Sequence, residues 1–451
     1  MDPNLYVSIT GDDNNGNGSI DRPYKTLRKA SEIAKPGSII NIRGGIYPRD
    51  IITPTGSGVD GNIITYRVYL NEAARFHSSD PGEAALVVYA SNIIIEGIQI
   101  ISSIHCGIIL WNVNAVQIIR CTIDKCHRGG IYIGGTLNKI NYSKIVVRNN
   151  TITNTCLVRS ADFEEPSSPG AVVITKTDGA IIENNTIYNN YGEGIIFSNS
   201  INGLISQNTI YDNFNCGIYL DNCGHTLIER NYIYSTGKTK FFQNDVPMSG
   251  IIIGNEDRDL FINSDHIIIQ NNIVTRYCYG ILYDARGKSS GIHNCLIVNN
   301  TFYRGYREAV RIADSQTLST NNEIVNNIFD HSKAYRPIDG IDKISMAGFK
   351  CHHNGWSHPP IHAGGPNDII SDARLLLLNR HYDFTDPAAQ FKLKENSPMR
   401  DTGKYIPTIK TDFWGTPRTA PFCIGAHELN IDSMHYSAIM DSMFYKYPHH
   451  M

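Results

Sequence analysis

Apolar residues in this chain come in short runs of four to six, bounded by Gly, Asn or Ser. Between residues 194 and 213 the runs read GIIFSNS, GLISQ and TIYDN. Runs this short, rich in Ile, Val, Tyr and Thr, predict strands, and none is long enough for a helix. The set then returns. Asn-Thr-Ile-Tyr at 185–188 comes back as Asn-Thr-Ile-Tyr at 208–211 and as Asn-Tyr-Ile-Tyr at 231–234, so Ile187, Ile210 and Ile233 stand 23 residues apart. Three strands and three turns in about 23 residues make one rung of a coil, and stacked rungs pair like with like in parallel sheets about 4.8 Å apart per rung.

The phrase recurs at Asn150, Asn272, Asn300 and Asn327, with a degenerate copy at Cys121-Thr-Ile. Where the interval is longer, polar stretches such as LVRSADFEEPSSPG and STGKTKFFQNDVPMSG absorb the difference. A fixed unit with loop insertions is how repeat arrays tolerate length changes. Asn suits the bend between the second and third strands, because it tolerates left-handed backbone angles, and stacked Asn amides can bond up the array. The ends read differently. PYKTLRKASEIA, residues 23–34, spaces Leu27, Ala30, Ile33 and Ala34 as a short helix that covers the open end of the core, stopped by Pro36-Gly37. After about residue 345 the rhythm fails. The chain therefore divides into an N-terminal strand and capping helix (1–38), an all-β solenoid of about ten to twelve coils (39–345), an irregular return segment (346–429) and an aromatic, Met-rich tail (430–451) that offers an oligomer contact.

Charge narrows the function classes. Lys plus Arg is 40 and Asp plus Glu is 43, a net of −3. Nucleic-acid binding and membrane-surface binding both want a basic face, so neither is expected as the general role. No run of eighteen apolar residues predicts membrane insertion, and MDPNLYVSIT lacks the basic and apolar regions of a secretory leader. Ten cysteines are too few for a disulfide scaffold; Cys106, Cys121, Cys126 and Cys156 read as stacked, reduced core thiols before they read as a zinc site. Cys351 with His352, His353, His358 and His362 has ligand-like density but no standard zinc spacing. GDDNNGNG lacks the acidic residue of a calcium loop at its twelfth place, Pro23, and reads as an irregular turn.

The opening YVSITGDDNNGNGSIDRPYKTLRKASEIAKPGSIINIRGGIY and the closing TDFWGTPRTAPFCIGAHEL resemble the entry and final strands of right-handed parallel β-helix proteins of the pectate-lyase-like superfamily. The likeness covers roughly residues 5–429. It implies a single right-handed parallel β-helix and a polysaccharide or glycan as partner. Lyases, glycoside hydrolases, uronate epimerases and non-catalytic virion or cell-surface glycan binders all belong to the superfamily, so an extracellular or virion-associated setting is implied as well.

Aligning the strands that open on Gly or Ala places a column of side chains on one outer face. By the two-residue period the third and fifth positions point outward, and near Tyr283 two registers one residue apart fit. From the first rungs come Trp111, Asn112, Tyr132, Thr175 and Lys176. The middle rungs add Ser198, Asn199, Tyr219, Asp221 and Asn222, and the last add Asn255, Glu256, Asp257, Arg258, Asp284, Arg286, Arg311 and Asp314. Asp221, Asn255, Asp257 and Asp284 are the expected calcium ligands, being oxygen donors on neighbouring rungs. Trp111, Tyr132 and Tyr219 offer ring faces to a sugar, and Arg311 a charge. A uronate lyase needs such a set. Calcium or Arg neutralises the substrate carboxylate, and a basic group then removes the weakly acidic proton beside it. Arg286, Lys176 and Arg258 are the expected catalytic residues, with Tyr219 and Lys288 as further candidate bases. A carboxylate pair such as Asp221 and Asp284 would instead serve glycoside hydrolysis. The leading expectation is a lyase of an acidic polysaccharide, beside a non-catalytic glycan binder.

Overall fold

The structure, a computed structural model, describes residues 3–136, 139–159, 170–256, 264–285, 291–312, 319–330, 348–360, 363–377 and 386–429. Three parallel sheets run its length. Each rung visits sheet A, then B, then C: Leu204–Ser206, Thr209–Tyr211 and Cys216–Asp221 form one such turn. Sheets A and B hold thirteen strands each and sheet C ten. The rung count is thus about thirteen, above the ten to twelve expected. The first and last turns, such as Gly45–Tyr47 and Phe349–His352, pair into the sheets without carrying the Asn phrase.

Register follows the phrase. Ile152, Ile187, Ile210 and Ile233 pair in succession in sheet B and point into a core of stacked Ile, Val and Leu. Further along, the same inner column turns aromatic: Phe302 stacks on Phe329, and Phe329 on Trp356 at 4.3 Å between ring centres.

The corner between sheets A and B splits its work between two residues. The first takes the left-handed backbone angle, with φ of 55° at Asn184, 55° at Gln207 and 56° at Arg230. The second builds a ladder. From Asn150 through Asn185, Asn208, Asn231, Asn272, Asn300 and Asn327 to Asn354, each Nδ2 donates to the next Oδ1 at 3.0–3.2 Å. Each Oδ1 also accepts the backbone N–H of the Asn one rung back. A shorter ladder, Thr155–Asn190–Asn213, lines the corner between sheets B and C.

The capping helix spans Leu27–Ile33, shorter than residues 23–34, because Thr26 takes the N-cap and accepts from Lys29 N–H. GDDNNGNG is an Asx-turn: Asp12 accepts from the N–H groups of Asn14 and Asn15, and Asp13 holds Thr26. Leu27 and Ala30 are buried, but Ile33 is exposed, so the helix covers the core with one turn fewer than its spacing suggested.

The return segment docks on the A/B corner of the last rungs. Outer corner amides receive it: Asn271 Nδ2 donates to Thr411 O, Asn299 to Cys423 O and Asn326 to Lys404 O. Arg418, fully buried, meets Glu428 at 2.9 Å and Asn271 Oδ1 at 2.7 Å. The tail, residues 430–451, lies outside the described residues. No helix among the described residues is long and apolar enough to cross a membrane.

Candidate functional site

From Glu96 onward, two residues always join sheet A to sheet B. The connections 156–169, 235–248, 256–267, 286–295 and 313–321 fall at one end or the other of a sheet C strand, whereas 331–348 separates a sheet B strand from a sheet A strand. The Asn ladder explains the difference, since an insertion at the A/B corner would break it. Added chain is therefore kept from the A/B corner and gathers at the margins of sheet C, whose outer face is where a site has walls.

On that face two outward rows run in register. One carries Ile109, Tyr132, Val173, Ile196, Tyr219, Ile252, Leu282 and Arg311. The other carries Thr175, Ser198, Asp221, Gly254 and Asp284, with Trp111 beside Gly134 at its start. The register places Tyr283 inward and fully buried. Although they face outward, Ser198 is 6% exposed, Asp221 1% and Ile252 6%. Mid-face, then, the sheet is covered nearly as well as the core.

Within this covered patch the polar groups are joined. Ser198 Oγ donates to Asp221 Oδ2 at 3.0 Å, and Asn199 Nδ2 donates to Ser198 Oγ at 2.9 Å. Tyr219 Oη donates to Glu256 Oε1 at 2.6 Å, while Glu256 N–H is anchored on Asn222 Oδ1 at 3.0 Å. Burial first, then the nearby Asp221 and Glu256 carboxylates, raise the Tyr219 phenol far above its usual range. In this arrangement the Tyr219 hydroxyl donates to Glu256. Gly254 makes this reach possible: a Cβ there would lie 2.7 Å from Tyr219 Oη. Gly254→Ala should cost about 1–3 kcal/mol by overpacking. Urea unfolding of the single and of the Gly254→Ala/Tyr219→Phe double variant checks this, because removing the hydroxyl should relieve part of the cost.

The predicted residues separate into three groups. Asp221 and Asp284 share a row, two rungs or about 10 Å apart, with Gly254 between. Asn255 does not join them: its Nδ2 donates to the buried Tyr283 Oη at 3.2 Å and its Oδ1 accepts from Ser264 N–H at 2.9 Å. Glu256 takes the nearer place. Lys176 occupies the left-handed corner position, φ 56°, and its N–H bonds Ser198 O one rung on. Asp257, Arg258, Arg286, Lys288 and Asp314 lie outside the described residues. Trp111 and Tyr132 stack at 6.4 Å in a hollow of about 330 Å³ that also meets His105, Arg128 and Val173. This hollow lies three to four rungs from Asp221 along the sheet. On the other side, Arg311 meets Glu308 at 3.2 Å, and Tyr279 lies beneath both Arg307 and Arg311.

Two features escaped the sequence reading. Glu193, 2% exposed, accepts from Asn215 Nδ2 at 3.0 Å, and Tyr279 bonds Arg307 at 2.6 Å. Both stand one place before the Gly that opens each aligned strand, a position that the alignment began too late to include.

Asp221, Glu256 and Asp284 are hard oxygen donors, which suits calcium in kind. The tight acidic grouping among the described residues is elsewhere, at Asp401, Cys423 and Glu428, and there Glu428 is held by Arg418. The ten cysteines are free thiols, with Cys121 apart from Cys106 at a different corner. His352 pairs with Glu323 at 2.7 Å, which commits it to the docking of the last rungs.

Parallel rungs, an inner aliphatic stack and three sheets running the length of the array define a right-handed parallel β-helix. Family models agree: right-handed β-helix regions match residues 106–288, and Pel9A-like right-handed β-helix regions match residues 5–167. Among solved structures, the XylC–xylose complex superposes with a TM-score of 0.65 at 12% identity, over 95% of this chain and 98% of that one. Pectate lyase Pel9A gives 0.57 at 16% identity over 94% and 96%, and a rhamnogalacturonan lyase 0.54 at 15% over 92% and 99%. These likenesses establish the fold. In sequence, 68 residues are 44% identical to the uncharacterized protein YwoF of Bacillus subtilis (strain 168). The match spans 15% of this chain and 14% of that relative.

Proposed function

We propose that this protein cleaves an acidic, uronate-containing polysaccharide by β-elimination along the outer face of sheet C. One observation carries the reading: Asp221, an outward residue on the walled face, is buried and joined to Ser198, beside a phenol that burial and carboxylates keep protonated. Such a patch is set apart from solvent before any substrate arrives, which is how preorganised electrostatic sites are built. The likeness to pectate lyase Pel9A and to a rhamnogalacturonan lyase supports a lyase on this fold.

In the reaction, a base takes the proton beside the uronate carboxylate. The released electron pair forms the carbon–carbon double bond, and the glycosidic oxygen leaves with a proton. Lys176 is the base candidate among the described residues; Arg286 and Arg258 are the others. Tyr219 supplies a neutral O–H donor. Trp111 and Tyr132 hold sugar rings farther along the groove, and Arg311 meets a second carboxylate. Calcium held by Asp221 with Glu256, or by Asp284 with Asp257, would neutralise the substrate carboxylate.

A second reading, glycoside hydrolysis, draws on the carboxylates of Asp221 and Asp284, which stand in one outward row two rungs apart. Incubation with pectate, alginate and chondroitin, with calcium and with chelator, separates the readings. Elimination yields unsaturated-uronate absorbance and new reducing ends together. Reducing ends without absorbance would mean hydrolysis. Neither signal, with measurable binding, would leave a glycan binder without catalysis.

A further inference from the structure

We propose that the outer face of sheet B carries a second binding site, for an anionic sugar ring, on a different face from the sheet C groove. Three tyrosines climb that face. Tyr188 stacks on Tyr211 at 4.8 Å, and Tyr211 on Tyr234 at 4.8 Å. At the next rung the ladder stops: Thr275 pairs with Tyr234 on one side and with Tyr303 on the other. The small side chain leaves a gap between two tyrosines, about 10 Å apart at two rungs, and Phe391 of the return segment covers part of it: Thr275 is 4% exposed, and Phe391 meets Tyr303 at 5.5 Å between ring centres. That gap opens into a hollow of about 440 Å³ lined by Tyr234, Thr236, Thr275, Arg276, Arg304 and Gln390, among others. Its size is that of a small-molecule site.

Two arginines frame it. Arg276 and Arg304 follow Thr275 and Tyr303 on adjacent rungs, in left-handed conformation with φ of 54° and 55°. Asp212 and Asn189 hold the same corner one and two rungs before the gap's first tyrosine, as left-handed geometry favours. Like charges side by side on neighbouring strands destabilise a sheet. Neither arginine forms an ion pair among the described residues; Arg304 lies over the Tyr303 ring at 5.0 Å, and its buried Nε has no hydrogen-bond partner. Of the nearby acids, Asp212 is engaged by Thr236 and Lys238 and Asp386 by Trp414, while the buried Asp330 stands one rung beyond Tyr303 and its backbone O accepts Arg304 N–H at 2.9 Å.

The combination selects a ligand class. Two guanidinium groups suit a carboxylate or sulfate. Tyrosine faces and the hydroxyls of Ser235, Thr236 and Thr275 suit a pyranose ring with its own hydroxyls. A uronate or sulfated sugar has all of these, and a bare anion has no use for the gap.

Calorimetric titration of the full chain with trigalacturonate, with a chondroitin sulfate tetrasaccharide and with neutral maltotriose tests this. At least one acidic probe should bind, and Arg276→Ala/Arg304→Ala should weaken that event by about tenfold or more, as loss of charge-assisted hydrogen bonds implies. Thr275→Tyr extends the ladder, fills the gap and should abolish the same event with the melting temperature kept. Asp221→Asn, on the other face, should leave it intact, so this site stands or falls apart from the lyase reading. Three results would overturn it: acidic probes bind no better than maltotriose, their binding is unchanged in both sheet B variants, or inorganic phosphate displaces them at equal concentration.

Discussion

Asp221→Asn should lower polysaccharide cleavage by about two to three orders of magnitude, the usual loss when a preorganised electrostatic group is removed. The fold should not suffer. Asn has the same shape, and its Oδ1 still accepts from Ser198 Oγ, which now bonds Asp221 Oδ2 at 3.0 Å. The exchange removes the negative charge and little else, so circular dichroism and melting should match the parent while the unsaturated product disappears. If calcium is held here, added calcium should restore less of the lost rate in Asp221→Asn than it does in a chelated parent enzyme. Full activity in the variant would mean that Asp221 is only a covered strand residue. The neighbouring row offers an internal comparison. Ile252 is equally covered, at 6% exposure, and Ile252→Val removes one methylene's packing, about 0.5–1.5 kcal/mol, without touching charge.

Asn208→Ala should destabilise the chain by about 3–6 kcal/mol, because it strands several buried partners at once. Asn208 Oδ1 accepts from the backbone and side-chain amides of Asn185 at 2.9 and 3.0 Å. Its Nδ2 donates to Ile182 O at 2.9 Å and to Asn231 Oδ1 at 3.0 Å. Alanine leaves buried Asn185 N–H and Ile182 O without these partners, while Asn231 Oδ1 keeps only the backbone N–H of residue 208. The loss compares with a typical total stability of about 5–15 kcal/mol, so urea unfolding should shift strongly or become biphasic. The matching control is Asn184→Gly. Asn184 is exposed at φ 55°, its side chain bonds only Asn149 Oδ1, and glycine accepts that backbone angle freely. Its effect should stay within about 0.5 kcal/mol, as for other surface changes. Equal effects from both variants would remove the ladder as the reason that the A/B corner admits no insertions.

How far the sequence reached depends on period. The rungs and the inward Ile column from 187 to 233 follow from a repeat of 23, and the row that sets Asp221 two places from Asp284 follows from aligning the Gly-initial strands across longer intervals. Even the corner chemistry was visible, although the sequence did not distinguish the left-handed Asn from the ladder Asn beside it. Reading failed where the period gave no guidance. Asn255 turns toward Tyr283 because a hydroxyl sits where every neighbouring rung has an aliphatic core residue. Ile33 is exposed because Thr26, capped through Asp13, starts the helix late.

The sequence by itself therefore determined the coil, its register and which side chains share a face, since each is a local pattern repeated at constant length. Only the tertiary structure decided which outward residues are covered, that Tyr219 reaches Glu256 across Gly254, and that the return segment seats Arg418 against Asn271. Those contacts join positions separated by loops or by most of the chain. Their geometry comes from how the insertions and the last segment pack on a finished array, and no periodicity carries that.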